Sequence, residues 1–143
     1  MTETISTDPN SSELVSEIID SSAITKYVSK EPDWMAVEGH LASADTIELA
    51  IKETTNALWK KIRRKEIELE SAKKIVSNLS EALWLLDQRD YMERALEIAT
   101  EHNITIYDAL FLACAEVEKG KLVSCDLAQL EIAKKLGIQT VKV

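Results

Sequence analysis

Apolar positions along the chain follow two alternating rhythms. Short continuous apolar runs read as buried strands, and longer stretches with apolar residues three or four apart read as amphipathic helices. The first run, in "EIID", ends at Asp20 and predicts a strand, with a short helix following to about Ser29. "EPDWMAVEGHLASAD" reads as a linker with some helical character. From Asp45 onward Ile47, Ile51, Thr54, Leu58 and Ile62 recur at spacings of 4, 3, 4 and 4, which predicts one long helix starting at Asp45.

"EIELESAKKIVSNL" predicts a second helix, and the apolar run "ALWLLD" a strand. "RDYMERALEIATEHN" predicts an amphipathic helix with Met92, Ala95, Leu96 and Ala99 on one side and Asn103 as its terminator. "TIYDALFLACAEVEKG" opens with Thr105 three residues before Asp108, a capping-box pattern, and closes on Gly120. Its middle is apolar nearly all round, so this helix is expected to be central and buried. "KLVSCD" predicts a strand leading into a helix over 127–136, Gly137 caps that helix, and "IQTVKV" makes a final strand. Strands separated repeatedly by helices predict a three-layer α/β/α sandwich around a central, mainly parallel sheet.

Composition narrows the class. A chain of 143 residues is one domain by size, and only 3 Gly and 2 Pro argue for long helices over a turn-rich β fold. Residues 1–13, rich in Ser, Thr and Glu, are expected to form a mobile acidic tail, with the folded domain over 14–143. No apolar run approaches the roughly 18 residues of a membrane span, and the polar N-terminus does not read as a signal peptide, so the cytoplasm is the expected location and no membrane partner is expected. Cys114 and Cys125 lie in apolar stretches without CxxC spacing and read as buried, reduced packing residues. With only His40 and His102 as further soft ligands, both read as surface or helix-end residues, a zinc site is not expected.

The net charge of −8 works against a nucleic-acid partner, but the charge is uneven. Lys60, Lys61, Arg63, Arg64, Lys65, Lys73 and Lys74 hold 7 of the 17 basic residues in one segment. That segment reads equally as a solvated helix face laced by Glu66, Glu68 and Glu70, or as a phosphate-binding patch.

The acids carry the chemistry. Asp20 and Asp126 each end a predicted strand and begin a helix, and parallel sheets of this class bind ligands at the carboxyl ends of their strands. The two should therefore share one edge, and Asp108 joins them if its helix starts there. Each alone is explained as a helix cap. A cap, however, leaves lone pairs of the carboxylate for a second use. Glu53 lies beside the apolar stripe, between Ala50 and Ala57, where small neighbours would let it approach the same edge. Four gathered carboxylates raise one another's pKa unless cations intervene. Oxygen ligands without His or Cys select Mg²⁺ or Mn²⁺, and the matching chemistry is metal-assisted attack of water on a phosphodiester.

"IIDSSAI", "ETTNALWK", "YDALFLACA" and "LVSCD" occur in the order and approximate spacing of the PIN domain, in its VapC-like toxin branch. The chain resembles that family from about Val15 to Val143. The resemblance implies a metal-dependent endoribonuclease, the toxin of a toxin–antitoxin pair, with Asp20, Glu53, Asp108 and Asp126 as ligands of Mg²⁺ or Mn²⁺. By the same resemblance Ser21 or Ser22 orients the site, Ser124 supplies the hydroxyl ahead of the last acid, and Asn56 matches a frequent residue of the second motif. It further implies a homodimer and a VapB-like antitoxin, and Lys60, Lys61, Arg63 and Arg64 become candidate contacts to the RNA backbone. Two alternatives stand beside it. A non-catalytic PIN-fold interaction module would be marked by loss of acids, and all four are present; an RNA-processing nuclease that is not a toxin would share every residue of the site.

Overall fold

The computed structural model describes residues 16–143, so the expected acidic tail over 1–13 lies outside the described residues. In chain order the elements are β1 (Glu17–Ile19), α1 (Ser21–Val28), α2 (Met35–Leu41), β2 (Asp45–Ile47) and α3 (Glu48–Arg63). There follow α4 (Leu69–Ala82), β3 (Trp84–Leu86), a 3₁₀ turn (Gln88–Tyr91), α5 (Met92–His102) and α6 (Ile106–Glu118). β4 (Lys121–Ser124), α7 (Leu127–Lys135) and β5 (Thr140–Lys142) complete the chain.

The five strands form one sheet in the order β3-β2-β1-β4-β5, and every pairing is parallel. The chain builds outward from β1 through β2 to β3, then returns to lay β4 against the other side of β1. That reversal is a topological switch point, where the connections leave β1 and β4 in opposite directions and open a crevice at their carboxyl ends. Ile18, Ile19, Leu122 and Val123 are fully buried, as expected of central parallel strands covered on both faces. The α/β/α layering expected from the alternation of elements is the architecture observed.

α6 is the buried helix of the sandwich. Residues Ala109 to Ala115 are all inaccessible, and the helix begins at the N-cap Thr105. Arg94 of α5 clamps Glu116 of α6 through two contacts of 2.5 and 3.0 Å, so α5 and α6 hold one orientation. The αL residue that ends α6 is Lys119 (φ 56), not Gly120. Gly120 serves a different need: a Cβ there would stand 2.9 Å from the Ser16 carbonyl oxygen, where the chain passes the start of β1. Asn103 ends α5 in the left-handed region and Gly137 follows α7 with φ 78, as the sequence indicates.

Three expectations change. The helix expected from Asp45 begins at Glu48, because 45–47 is strand β2, paired with β1 and β3. Thr46 is fully buried there and donates to the Ile19 carbonyl at 2.6 Å. Three residues are too few to show a strand period, and Ile47 falls in step with the helical stripe that follows. In α5 the buried face is Ala95 and Ile98, while Leu96 is 60% exposed and Met92 41%. Small Ala95 and Ala99 let α5 lie close to α6, which turns the larger side chains outward. Cys125 is half-buried rather than a packing residue of the core; Cys114 is buried, and burial pushes its thiol up to about 12.

Candidate active site

Asp20 follows β1 and Asp126 lies just past β4, so the two acids flank the switch point. The backbone is tied across it, the Asp20 amide donating to the Val123 carbonyl at 3.1 Å. Asp20 is the N-cap of α1: its Oδ1 accepts from the Ala23 amide at 3.1 Å and from the Ser22 hydroxyl at 2.6 Å. Asp126 caps α7 in the same way, accepting from the Gln129 amide at 3.1 Å.

Serines knit these two caps together. The Ser124 hydroxyl accepts from the Asp126 amide at 3.0 Å and lies 3.2 Å from the Ser22 hydroxyl, which accepts from the Cys125 amide at 3.2 Å. Ser124 is fully buried and Asp20 is only 4% exposed, so the network is buried at these two residues, while Asp126 stands exposed at its rim. A buried carboxylate in an apolar surround needs such donors to remain.

Glu53 reaches the same edge from α3. Its Oε1 accepts from the Ser21 hydroxyl at 2.5 Å, and the hydroxyls of Thr25 and Thr54 stand 3.4 Å apart where α1 and α3 meet. Asp108 comes from the first turn of α6, with its amide donating to the Thr105 hydroxyl at 3.2 Å. Buried Gln129 binds these two halves: its side-chain amide donates to the Asp108 carbonyl at 2.9 Å while its own backbone amide caps onto Asp126. Four helices thus present first or second turns to one edge, and their partial positive ends favour carboxylates there.

Glu53 and Asp108 line an open cleft of about 640 Å³, together with Ser21, Ser22, Asn56, Tyr107 and Cys125. Asp20 and Asp126 do not line it; they lie next to its Ser22 and Cys125 wall. The four acids nonetheless feel one another. The Asp20 carboxyl is raised above the usual range by burial, with the Asp126 charge adding and the Ser124 and Ser22 hydroxyls and Ala23 amide opposing. Burial also raises Glu53, where Asp108 adds and Ser21 opposes, and raises Asp108, where Asp126 adds and Thr105 opposes. Repulsion therefore runs in a chain from Asp20 through Asp126 and Asp108 to Glu53.

Such a donor set, all oxygen and mutually repelling, has the chemistry of a hard-cation site. Its side chains are not drawn tight: among the described residues no three His, Cys, Asp or Glu side chains stand close enough to hold one ion together.

The basic candidates divide. Lys60 lines the cleft. Lys61 and Arg64 turn to Glu66, at 3.4 and 2.7 Å, and Arg63 lies over the Trp59 ring at 5.0 Å. Lys52, Tyr107 and Gln129 were not singled out by sequence reasoning, yet the first two line the cleft and the third joins its acids. Lys52 precedes Glu53, and Tyr107 precedes Asp108, so adjacency to the acids is the signal that could have found them. Gln129 gave none.

The family model of the PIN domain matches residues 18–135. Ribonuclease VapC3 of Pyrobaculum aerophilum is 33% identical over 115 residues, covering 76% of this chain and 88% of that protein. Exonuclease VapC9 of the same organism is 27% identical over 112 residues, covering 78% and 81%. Among solved structures, that of PAE2754 from Pyrobaculum aerophilum superposes with a TM-score of 0.71 at 26% identity, covering 89% of this chain and 84% of that one. VapBC2 from Rickettsia felis, crystallised with a DNA fragment from its promoter, gives a TM-score of 0.63 at 13% identity over 89% and 98%, a likeness of fold. With the motif acids in order and the family match spanning most of its length, the chain belongs to the PIN domain family.

Proposed function

We propose that the protein is a Mg²⁺- or Mn²⁺-dependent endoribonuclease, and the toxin of a VapBC-type toxin–antitoxin pair. The observation that carries the reading is the arrangement of Asp20, Asp126, Asp108 and Glu53 at the carboxyl end of β1 and β4, coupled by repulsion along one edge. Relatives named as a ribonuclease and an exonuclease support the nuclease class.

In this reading one or two of the four acids would hold the cation directly and the others through its waters, and the bound cation would acidify water and stabilise charge on the phosphate. The chain's own residues do the rest. Ser22 and Ser124 hold Asp20 ionised against its burial, by donating to or lying beside its oxygens. Ser21 fixes Glu53 through Oε1 and leaves Oε2 free to face the cation or its water. Asn56 on the cleft wall offers an amide to the phosphate or sugar. Lys60 supplies positive charge to the backbone, whereas Lys61, Arg63 and Arg64 are engaged elsewhere and are weaker candidates. A homodimer and a VapB-like antitoxin belong to the proposal through the likeness to VapC proteins. Among the described residues no helix is long and apolar enough to cross a membrane, which is compatible with a cytoplasmic setting.

A second reading, an exonuclease, has one relative's name in its favour. A covalently closed single-stranded RNA separates the two. Mn²⁺-dependent linearisation of the circle, absent in Asp20→Asn, supports the endonuclease; digestion confined to linear RNA favours the exonuclease, and no cleavage of either favours a non-catalytic module.

A further inference from the structure

Tyr107 stands beside Asp108 at the mouth of the cleft, 59% exposed. Its neighbours on α6 go the other way: Ile106 packs against the core and Ala109 is fully buried. A large aromatic there leaves apolar surface open beside an acid. Lys60 of α3 also lines the cleft, and among the described residues it has no acidic partner within ion-pair distance. It stands seven residues, roughly 10 Å along the helix, beyond Glu53, on the same wall. Lys52 also lines the cleft but is shared with Glu48 at 3.2 Å.

We propose that Tyr107 is the stacking platform for the base next to the cleaved phosphate, and that the strand runs from it along α3 to Lys60. This rests on the nuclease reading and deepens it by naming the residue that positions the strand at the acids. Stacking needs an unpaired base, so a strand held in a duplex cannot use the ring. An aromatic face stacks on any base, so it positions the strand without selecting sequence. Two lysines among Glu31, Glu53 and Asp108 supply little net attraction, so stacking must carry a larger share of binding here than in a basic groove. For a single strand, log K falls by about 0.7 per decade of salt for each phosphate neutralised, hence about 1.4 for two lysines.

The test uses the full chain with Asp20→Asn, to suppress cleavage, in Mn²⁺, and fluorescence anisotropy of short labelled oligouridylate and oligoadenylate. Tyr107→Leu should weaken binding of both roughly tenfold, Tyr107→Phe should restore it, and the matching duplex should not compete. Lys60→Gln should flatten the salt slope to about 0.7 and leave the Tyr107 effect in place. Oligonucleotide binding that is unchanged in Tyr107→Leu would overturn the stacking role while leaving the nuclease reading intact. Failure of both this parent and the native chain in metal-free buffer to bind any oligoribonucleotide would sink that reading, and this inference with it.

Discussion

The Ser21 hydroxyl donates to Glu53 Oε1 at 2.5 Å, joining the first residue of α1 to the second turn of α3. A residue next to the acid at the end of β1 thereby orients an acid more than thirty positions away, and helps hold it ionised against burial. Removing the hydroxyl should let the Glu53 carboxyl rise further, since a bond to the ionised form lowers its pKa. Ser21→Ala is therefore expected to shift the acid limb of the pH–rate profile for RNA cleavage to higher pH. Superimposable limbs would show that the bond does not govern Glu53.

Asp108→Asn should abolish cleavage while keeping the fold. Asn retains the shape and one acceptor, the capping Thr105 is untouched, and the lost helix-end charge is offset by relief of repulsion from Asp126, so stability should stay within about 1 kcal/mol of native. Cleavage assays with saturating Mn²⁺ alongside circular dichroism melting check both halves. Retained activity would make the acid structural.

The fold was legible because its signals are long or repeated. α6 announces itself through an unbroken apolar middle and a Thr105–Asp108 start, and β1 and β4 through apolar runs that end on acids. β2 was not legible: three residues cannot show a period, and Ile47 matches the stripe of α3. At the site, Asp20, Asp108 and Asp126 sit at or near element boundaries that sequence can locate, while Glu53 lies within α3 beside its apolar stripe. Ser21 and Ser22 were visible as hydroxyls beside Asp20, but that one serves Glu53 and the other Asp20 is decided by packing of α1 against α3. Gln129 looked like any helical glutamine, because its contact to the Asp108 carbonyl exists only once α6 and α7 are side by side.

That contact sets a further expectation. Gln129→Leu removes the second donor to the Asp108 carbonyl, which keeps its helical partner, and frees the start of α6 from α7, which should cost about 0.5–1.5 kcal/mol of stability. It should also weaken Mn²⁺ binding measured by calorimetry, since two repelling acids lose the brace between them. Gln129→Glu, which keeps length but cannot donate when ionised, should behave like Leu. Unaltered Mn²⁺ affinity in both variants would reduce Gln129 to a packing residue.

Burial of Asp20 carries a sign. Its folded-state pKa lies above the unfolded value near 4, so the folded chain binds more protons in that range. The stability tied to this proton is fully present below the unfolded pKa and is lost as pH rises through the folded one. Without metal, Asp20→Asn should thus gain stability relative to the native chain as pH climbs from about 4 toward neutrality. Taking the difference between the two proteins cancels groups of opposite sign, such as Asp87, which its Arg89 partner lowers to about 2. A difference in denaturant midpoint that is flat across this range would mean that Asp20 is not strained.

The most direct measurement is thermal melting at neutral pH with and without millimolar Mn²⁺, on the native chain and on Asp20→Asn/Asp108→Asn. A cation that binds only the folded form adds roughly 2.7 kcal/mol at a hundredfold excess over its Kd. The native chain should therefore melt higher with Mn²⁺, and less so at acid pH, where protons compete for the same oxygens. The double variant should melt higher than the native chain without metal and ignore Mn²⁺. Native melting curves that superimpose with and without Mn²⁺ would contradict a shared cation site at Asp20, Glu53, Asp108 and Asp126.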